Sequence, residues 1–317
     1  MKLPDYDELP ESSAGASGSR TGWGVFGADD QVGLLNLLTP DVVRAAVGLV
    51  RTGSVFSLNA PLDAFDPPIV AWRENPVREI VHRPGSVTFD ERYTSLSPQG
   101  ASQWDSLGHV GAAPNCFYNG ATEDDVASGR RNGIEHWARR GIVGRAVVLD
   151  MVRTAEEDGH PYDPGSPTAF TVEDLERARR RSGVTFRPGD ILVLHTGFAR
   201  WYADQSEDRC LQVRADLETP GIARGEDMCR YLWNNRLSAV VSDNLAVEVT
   251  PLGPDERTGF LHRVLIGQLG MALGELWWTE ELADDCARDG VYEALLVSAP
   301  MHAVGGFGSP ANALALK

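Results

Sequence analysis

Residues 187–195 read RPGDILVLH, a Pro-Gly-Asp turn that runs straight into an apolar stretch with one polar side chain at its end. The turn residues fix and reverse the chain, and the run behind them is too short for a helix. It is also too continuous for a half-exposed strand, so it reads as a strand buried on both faces with His195 at its tip. The same pattern returns at residues 146–151 (AVVLDM), 237–242 (LSAVVS) and 294–298 (ALLVS). Helical patterns lie between several of these runs. Thr39 can cap a helix opened by Pro40, with Val42, Val43, Ala46, Val47 and Val50 as its apolar stripe and Gly53 expected to close it. Thr171, with Asp174 three residues on, opens a second helix that ends near Gly183. Buried strands with helices between them predict a mixed α/β domain. No linker or internal repeat divides the chain. Residues 1–22 are polar and read as a flexible or draped arm, and residues 23–317 as one domain.

Composition excludes several functions. The 317 residues carry 29 basic and 45 acidic side chains, a formal charge of −16. Nucleic acid as main partner needs a positive surface, as does docking on an anionic membrane, so neither is expected. The one dense basic run, Arg177 to Arg181, lies beside Glu173, Asp174 and Glu176 and reads as a solvated helix face. No window reaches the length of apolar chain that a membrane span requires, and the N-terminus has no signal-like pattern. Four separated cysteines without a CxxC pair argue against zinc ribbons and redox dithiols, and for a reducing cytoplasm.

Few motifs carry chemistry. There is no GxSxG elbow and no GxxxxGK[ST] loop. Gly306 to Ala311 spells GxGxxA, but Pro310 interrupts it and no βαβ unit can follow, so it reads as a tight glycine turn. Cys116 reads as a small buried hydrophobe. Residues 99–109 (QGASQWDSLGH) are more informative. Gln103 and Asp105 are two apart, so an extended backbone points both the same way, and a turn at Leu107-Gly108 can return His109 to them. An amide oxygen, a carboxylate and an imidazole are plausible ligands for a divalent ion. Residues 262–275 (HRVLIGQLGMALGE) form a second candidate, in which an apolar helical pattern starts at His262, breaks at Gly270 and delivers Glu275. The pair reads either as completing that coordination or as a satisfied core histidine with a locally paired acid. His195 at a strand end and His302 near the glycine turn are candidate pocket residues, while His82, His136 and His160 read as loop or helix-surface groups. Trp23, Trp72, Trp104 and Trp201 are candidate apolar walls.

Several blocks together resemble the cyclase family of metal-dependent hydrolases, which includes bacterial kynurenine formamidase and isatin hydrolase. They are residues 23–39 (WGVFGADDQVGLLNLLT), 102–109 (SQWDSLGH), 141–150 (GIVGRAVVLD), 189–197 (GDILVLHTG), 262–275 and 305–316 (GGFGSPANALAL), in the family's order. The family motif HxGTHxDxPxH is matched at Asp105 and His109. Its second histidine falls on Gln103 and its first on Gln99. The resemblance implies a swivelling β/β/α fold with a mixed β-sheet core flanked by helices, assembled as a homodimer or homotetramer. It makes Gln103, Asp105, His262 and Glu275 the ligands of one divalent ion, Mn²⁺ or Zn²⁺, with oxygen-rich donors favouring the former. His109 becomes the acid–base group, or a further ligand, and Trp23, Trp104, His195 and His302 the substrate-binding residues. The implied activity is hydrolysis of an amide C–N or lactone bond in a small cyclic or aromatic molecule by metal-activated water. A polyketide-type cyclase or dehydratase using the same Lewis acid is the alternative. The two glutamines at histidine positions also leave room for a catalytically silent binding protein.

Overall fold

Apolar runs buried on both faces need hydrogen-bonded neighbours on both edges, and the chain supplies them within one large curled sheet. The structure is a computed structural model describing residues 3–12, 14, 19–255 and 258–317. Its strands are β1 (Val55–Ser57), β2 (Val77–Val81), β3 (Asp90–Thr94), β4 (Gln103–Asp105), β5 (Ile142–Asp150), β6 (Ala169–Phe170) and β7 (Ile191–His195). They continue as β8 (Gly221–Ile222), β9 (Ala239–Ser242), β10 (Ala272–Glu275), β11 (Glu293–Ser298), β12 (Gly308–Pro310) and β13 (Ala313–Leu316). Nine of them form the mixed sheet, in the order β1-β13-β11-β5-β7-β9-β10-β4-β12. The run from β5 to β10 is parallel and its flanks are antiparallel. This is a helix-flanked mixed α/β fold, as the resemblance implies. β2 and β3 form a separate exposed hairpin, and β6 pairs with β8.

The four apolar runs are all strands of this sheet. Val147, Val148 and Leu149, the Ile191–Leu194 stretch, Val240 and Val241 are buried completely. Each such side chain contributes about 1.5–3 kcal/mol relative to exposure. Asp150 ends β5 and caps the helix Met151–Glu157, its carboxylate accepting from Arg153 N at 2.9 Å. Thr171 caps the helix Val172–Arg181 through a reciprocal bond with Asp174.

Two expectations are corrected. The helix capped by Thr39 runs from Pro40 to Val47 and stops at Gly48 rather than Gly53. Thr52 N and Gly53 N instead donate to the Lys317 carbonyl at 3.1 and 2.8 Å, tying this turn to the last strand. The N-terminal stretch is anchored by its apolar residues: Leu3, Tyr6 and Leu9 are buried against the helix Glu226–Asn234 and its neighbours. Tyr6 N donates to Asn234 at 2.8 Å, and Trp233 Nε1 to the Pro4 carbonyl at 3.0 Å. Residues 1, 2, 13 and 15–18 of that arm lie outside the described residues.

Candidate metal centre

The centre is assembled where β4 joins β10. Their antiparallel register pairs Gln103 with Glu275, Trp104 with Gly274 and Asp105 with Leu273. Strand alternation therefore puts Gln103, Asp105 and Glu275 on one face and Trp104 on the other. Glu275 reaches this place because the short helix His262–Leu265 gives way at Gly270, whose φ of 67° and contact with the Tyr118 ring leave no room for a side chain. The chain then enters β10 directly. His262, at the start of that helix, faces the same three residues.

All four side chains are buried. His262 Nε2 lies 2.8 Å from Glu275 Oε1 and 3.7 Å from Asp105 Oδ2. Gln103 Nε2 donates to Glu275 Oε2. One ligand atom each from Asp105, His262 and Glu275 lie within 4.8 Å of one another, a set able to hold a metal ion. The acceptor count supports this reading. Both Asp105 oxygens, and Gln103 Oε1, have no hydrogen-bond partner among the described residues. A buried carboxylate without a donor is costly, and a cation satisfies it. One imidazole with several oxygens is a chemically coherent ligand set for a divalent ion, so the residues present fit the group.

Electrostatics bear on the same point. Burial opposes the charge of Asp105, yet the His109 and His262 imidazoles hold its carboxyl below the usual carboxylate range. Burial and the Asp105 charge push Glu275 up to about 7. Burial also disfavours a charged His262, but Glu248, Asp105 and Glu275 hold it well above the ordinary histidine range. Metal binding there requires release of the Nε2 proton. His109 Nε2 stands 3.7 Å from Asp105 Oδ1. Burial holds this histidine below its ordinary range against the pull of Asp105, so it is neutral at pH 7.

Two residues here escaped the sequence reading. Glu248 is fully buried and accepts from His262 Nδ1 at 2.9 Å, which fixes the ring so that Nε2 faces the other donors. Its signal was an acid between Val247 and Val249 in an otherwise apolar stretch. Phe260 stacks on the His262 ring, centroids 4.9 Å apart. Nothing in the sequence marks it.

Two cavities open beside the donors. One, of about 250 Å³, is lined by His262 and Glu275 with Leu217, Leu245, Leu252 and Phe260 among its walls. The other, of about 750 Å³, is lined by Trp72, Gln99, Phe117 and the glycine turn at Gly306–Gly308. His109 and Arg73 line both.

The structure thus brings Gln103, Asp105, His109, His262 and Glu275 together and leaves the proposed substrate-binding residues elsewhere. Trp104 is a core residue, because alternation turns it away: it stacks edge-on with Trp277 and Trp137, and its Nε1 donates to Ser298 at 2.9 Å. His195 points to the opposite face from Glu275, as the Leu194–Ser242 and Val241–Gly274 pairs of the ladder require. Trp23 packs against the core, its Nε1 donating to the Gly267 carbonyl at 2.9 Å, and lines neither cavity. His302 is exposed, between Met301 and Ala303 of the larger cavity's rim. Of the other tryptophans, Trp72 stands at that rim, 79% exposed, and Trp201 packs in a secondary core cluster.

A curled mixed sheet thus carries, beside a cavity, a buried carboxylate–imidazole–carboxylate set able to hold a metal ion. The chain belongs to the cyclase family: the family described as "Putative cyclase" matches residues 56–249. A crystal structure described as a novel cyclase is 33% identical with a TM-score of 0.84, covering 94% of this chain and 99% of its own. Two isatin hydrolases share the fold at lower identity. Isatin hydrolase A from Labrenzia aggregata, bound to benzyl benzoate, is 18% identical with a TM-score of 0.58, over 85% of this chain and 94% of its own. An isatin hydrolase bound to the product analogue thioisatinate is 14% identical with a TM-score of 0.60, over 83% and 92%. No curated protein matches the chain. Among the described residues, no helix is long and apolar enough to cross a membrane.

Proposed function

We propose that the protein is a metal-dependent hydrolase that opens an amide C–N or lactone bond in a small cyclic or aromatic substrate. The observation that carries this reading is the buried and donor-free carboxyl group of Asp105 beside His262 and Glu275. Asp105, His262 and Glu275, with Gln103 Oε1, would hold one divalent ion, for which Mn²⁺ suits the oxygen-rich set better than Zn²⁺. That ion supplies Lewis acidity toward a carbonyl and acidifies water. Glu248 keeps His262 oriented. Neutral His109, at the junction of the two cavities, takes a proton from the attacking water and returns it to the departing nitrogen or oxygen. The apolar walls formed by Leu217, Leu245, Leu252 and Phe260 suit a ring. The isatin hydrolase likeness agrees with a cyclic amide as substrate.

The same proposal makes the protein a cytoplasmic homodimer or homotetramer. The exposed hairpin of β2 and β3 supports the assembly, since it leaves Val77, Ile80, Val87 and Phe89 in solvent.

The test is elemental analysis of the purified protein, followed by a panel of formamides, cyclic imides, isatin and lactones with added Mn²⁺. About one equivalent of metal and products heavier by one water are expected. Ring closure or loss of water would favour the cyclase alternative. Protein without stoichiometric metal would favour a silent binding protein.

A further inference from the structure

The two cavities meet at His109 and Arg73, and among the residues lining either of them Arg73 is the one lysine or arginine. Its guanidinium is held by a single bond, NH1 donating to the Gln99 carbonyl at 3.0 Å. It forms no ion pair among the described residues, whereas Arg153, Arg177 and Arg181 each engage two acids. Most of its N–H groups therefore remain available at the junction. The surrounding walls are largely apolar, and the acids lining these cavities, Glu123, Asp216 and Glu275, repel an anion. Apart from the metal site and its histidines, Arg73 is the one cationic side chain that an anionic group entering these cavities meets. The charge of Arg73 is felt at Asp105, His109 and Glu275, which puts it near the reacting end of any ligand.

We propose that Arg73 is the specificity-determining residue of this cavity and that the substrate carries a carboxylate, received by Arg73 while its scissile carbonyl lies toward Asp105, His262 and Glu275. The planar guanidinium fork matches a carboxylate through two parallel hydrogen bonds. A phosphate fits less well, because one arginine faces it and its second charge would meet the acids of the walls. The proposal rests on the hydrolase reading for the placement of the scissile bond, and on Arg73 alone for the carboxylate.

The test compares benzoate with its neutral counterpart benzamide, each titrated calorimetrically into Mn²⁺-loaded protein, wild type, Arg73→Gln and Arg73→Lys. Wild type is expected to bind benzoate about tenfold or more tightly than benzamide. R73Q should abolish that preference with metal content unchanged, and R73K, which keeps the charge and loses the fork, should retain part of it. If R73Q fails to fold, a narrowed preference in R73K supports the proposal and an unchanged one overturns it. A preference that persists in folded R73Q, or is absent from wild type, overturns it. Metal content, measured on the same samples, tests the hydrolase reading separately. Protein that takes up no metal yet shows an Arg73-dependent preference would sink that reading and leave the carboxylate site standing.

Discussion

The central sheet buries two histidine–carboxylate clusters, one on each face, and they are built on different terms. On one face His195 Nδ1 lies 2.9 Å from Thr279 Oγ1 and 3.4 Å from Asp243, with Glu280 3.5 Å from Nε2. Asp243 accepts from Thr196 N, Thr196 Oγ1 and Gly197 N, each at 2.7 Å. On the other face His262 is gripped by Glu248 and Glu275, but Asp105 beside it receives no hydrogen bond among the described residues. Similar residue types thus give one cluster whose buried acid has its own donors and one whose buried acid has none. The first cluster needs nothing further to be stable. The second leaves the Asp105 oxygens open to an added positive charge, which supports the metal-site reading proposed above.

The largest effect should come from Asp105→Asn. Losing the donor-free carboxylate should weaken Mn²⁺ or Zn²⁺ on the order of a thousandfold or more by titration calorimetry, the measure of a ligand rather than a neighbour. Unaltered metal affinity would dissolve the contrast between the faces. Asp243→Asn should behave oppositely, costing about 3–5 kcal/mol in urea unfolding while leaving metal affinity intact.

The pH dependence of stability sharpens the comparison next. Burial disfavours the His195 imidazolium, but Asp243, Asp150 and Glu280 raise it to about 9. Its stabilising contribution is therefore complete below the unfolded value near 6.5 and is lost as pH rises through 9. That loss amounts to about 3 kcal/mol and should vanish in His195→Gln, as read from unfolding free energies between pH 6 and 9.5. A wild-type profile as flat as the variant's would show that His195 is buried neutral. Smallest is Glu248→Gln, which keeps shape but weakens the hold on His262. It should reduce metal affinity about 10–100-fold, and circular dichroism should show the fold unchanged.

Much of the fold was legible because continuous β-branched runs bounded by turns have few other ways to be buried. The run at residues 191–195 is β7 without adjustment, and Thr39 and Thr171 cap helices in the way their positions predict. The packing of the N-terminal arm is not legible in the sequence because its apolar residues, Leu3, Tyr6 and Leu9, are spaced among prolines and acids, and their shelter is a helix more than two hundred residues away. Trp104 was placed in the pocket although the alternation that joins Gln103 to Asp105 excludes it.

By itself the sequence determined which segments are buried strands, which residues cap the helices, and that Gln103 and Asp105 share a face, since these follow from local periodicity and turn chemistry. Only the tertiary structure decided that β4 lies against β10, which brings Glu275 and His262 to Asp105. It also decided that Glu248 orients His262, that His195 belongs to the opposite face, and that Arg73 stands where the two cavities meet. Whether a buried carboxylate is satisfied or left without a donor depends on groups distant in the chain, and no local pattern records that balance.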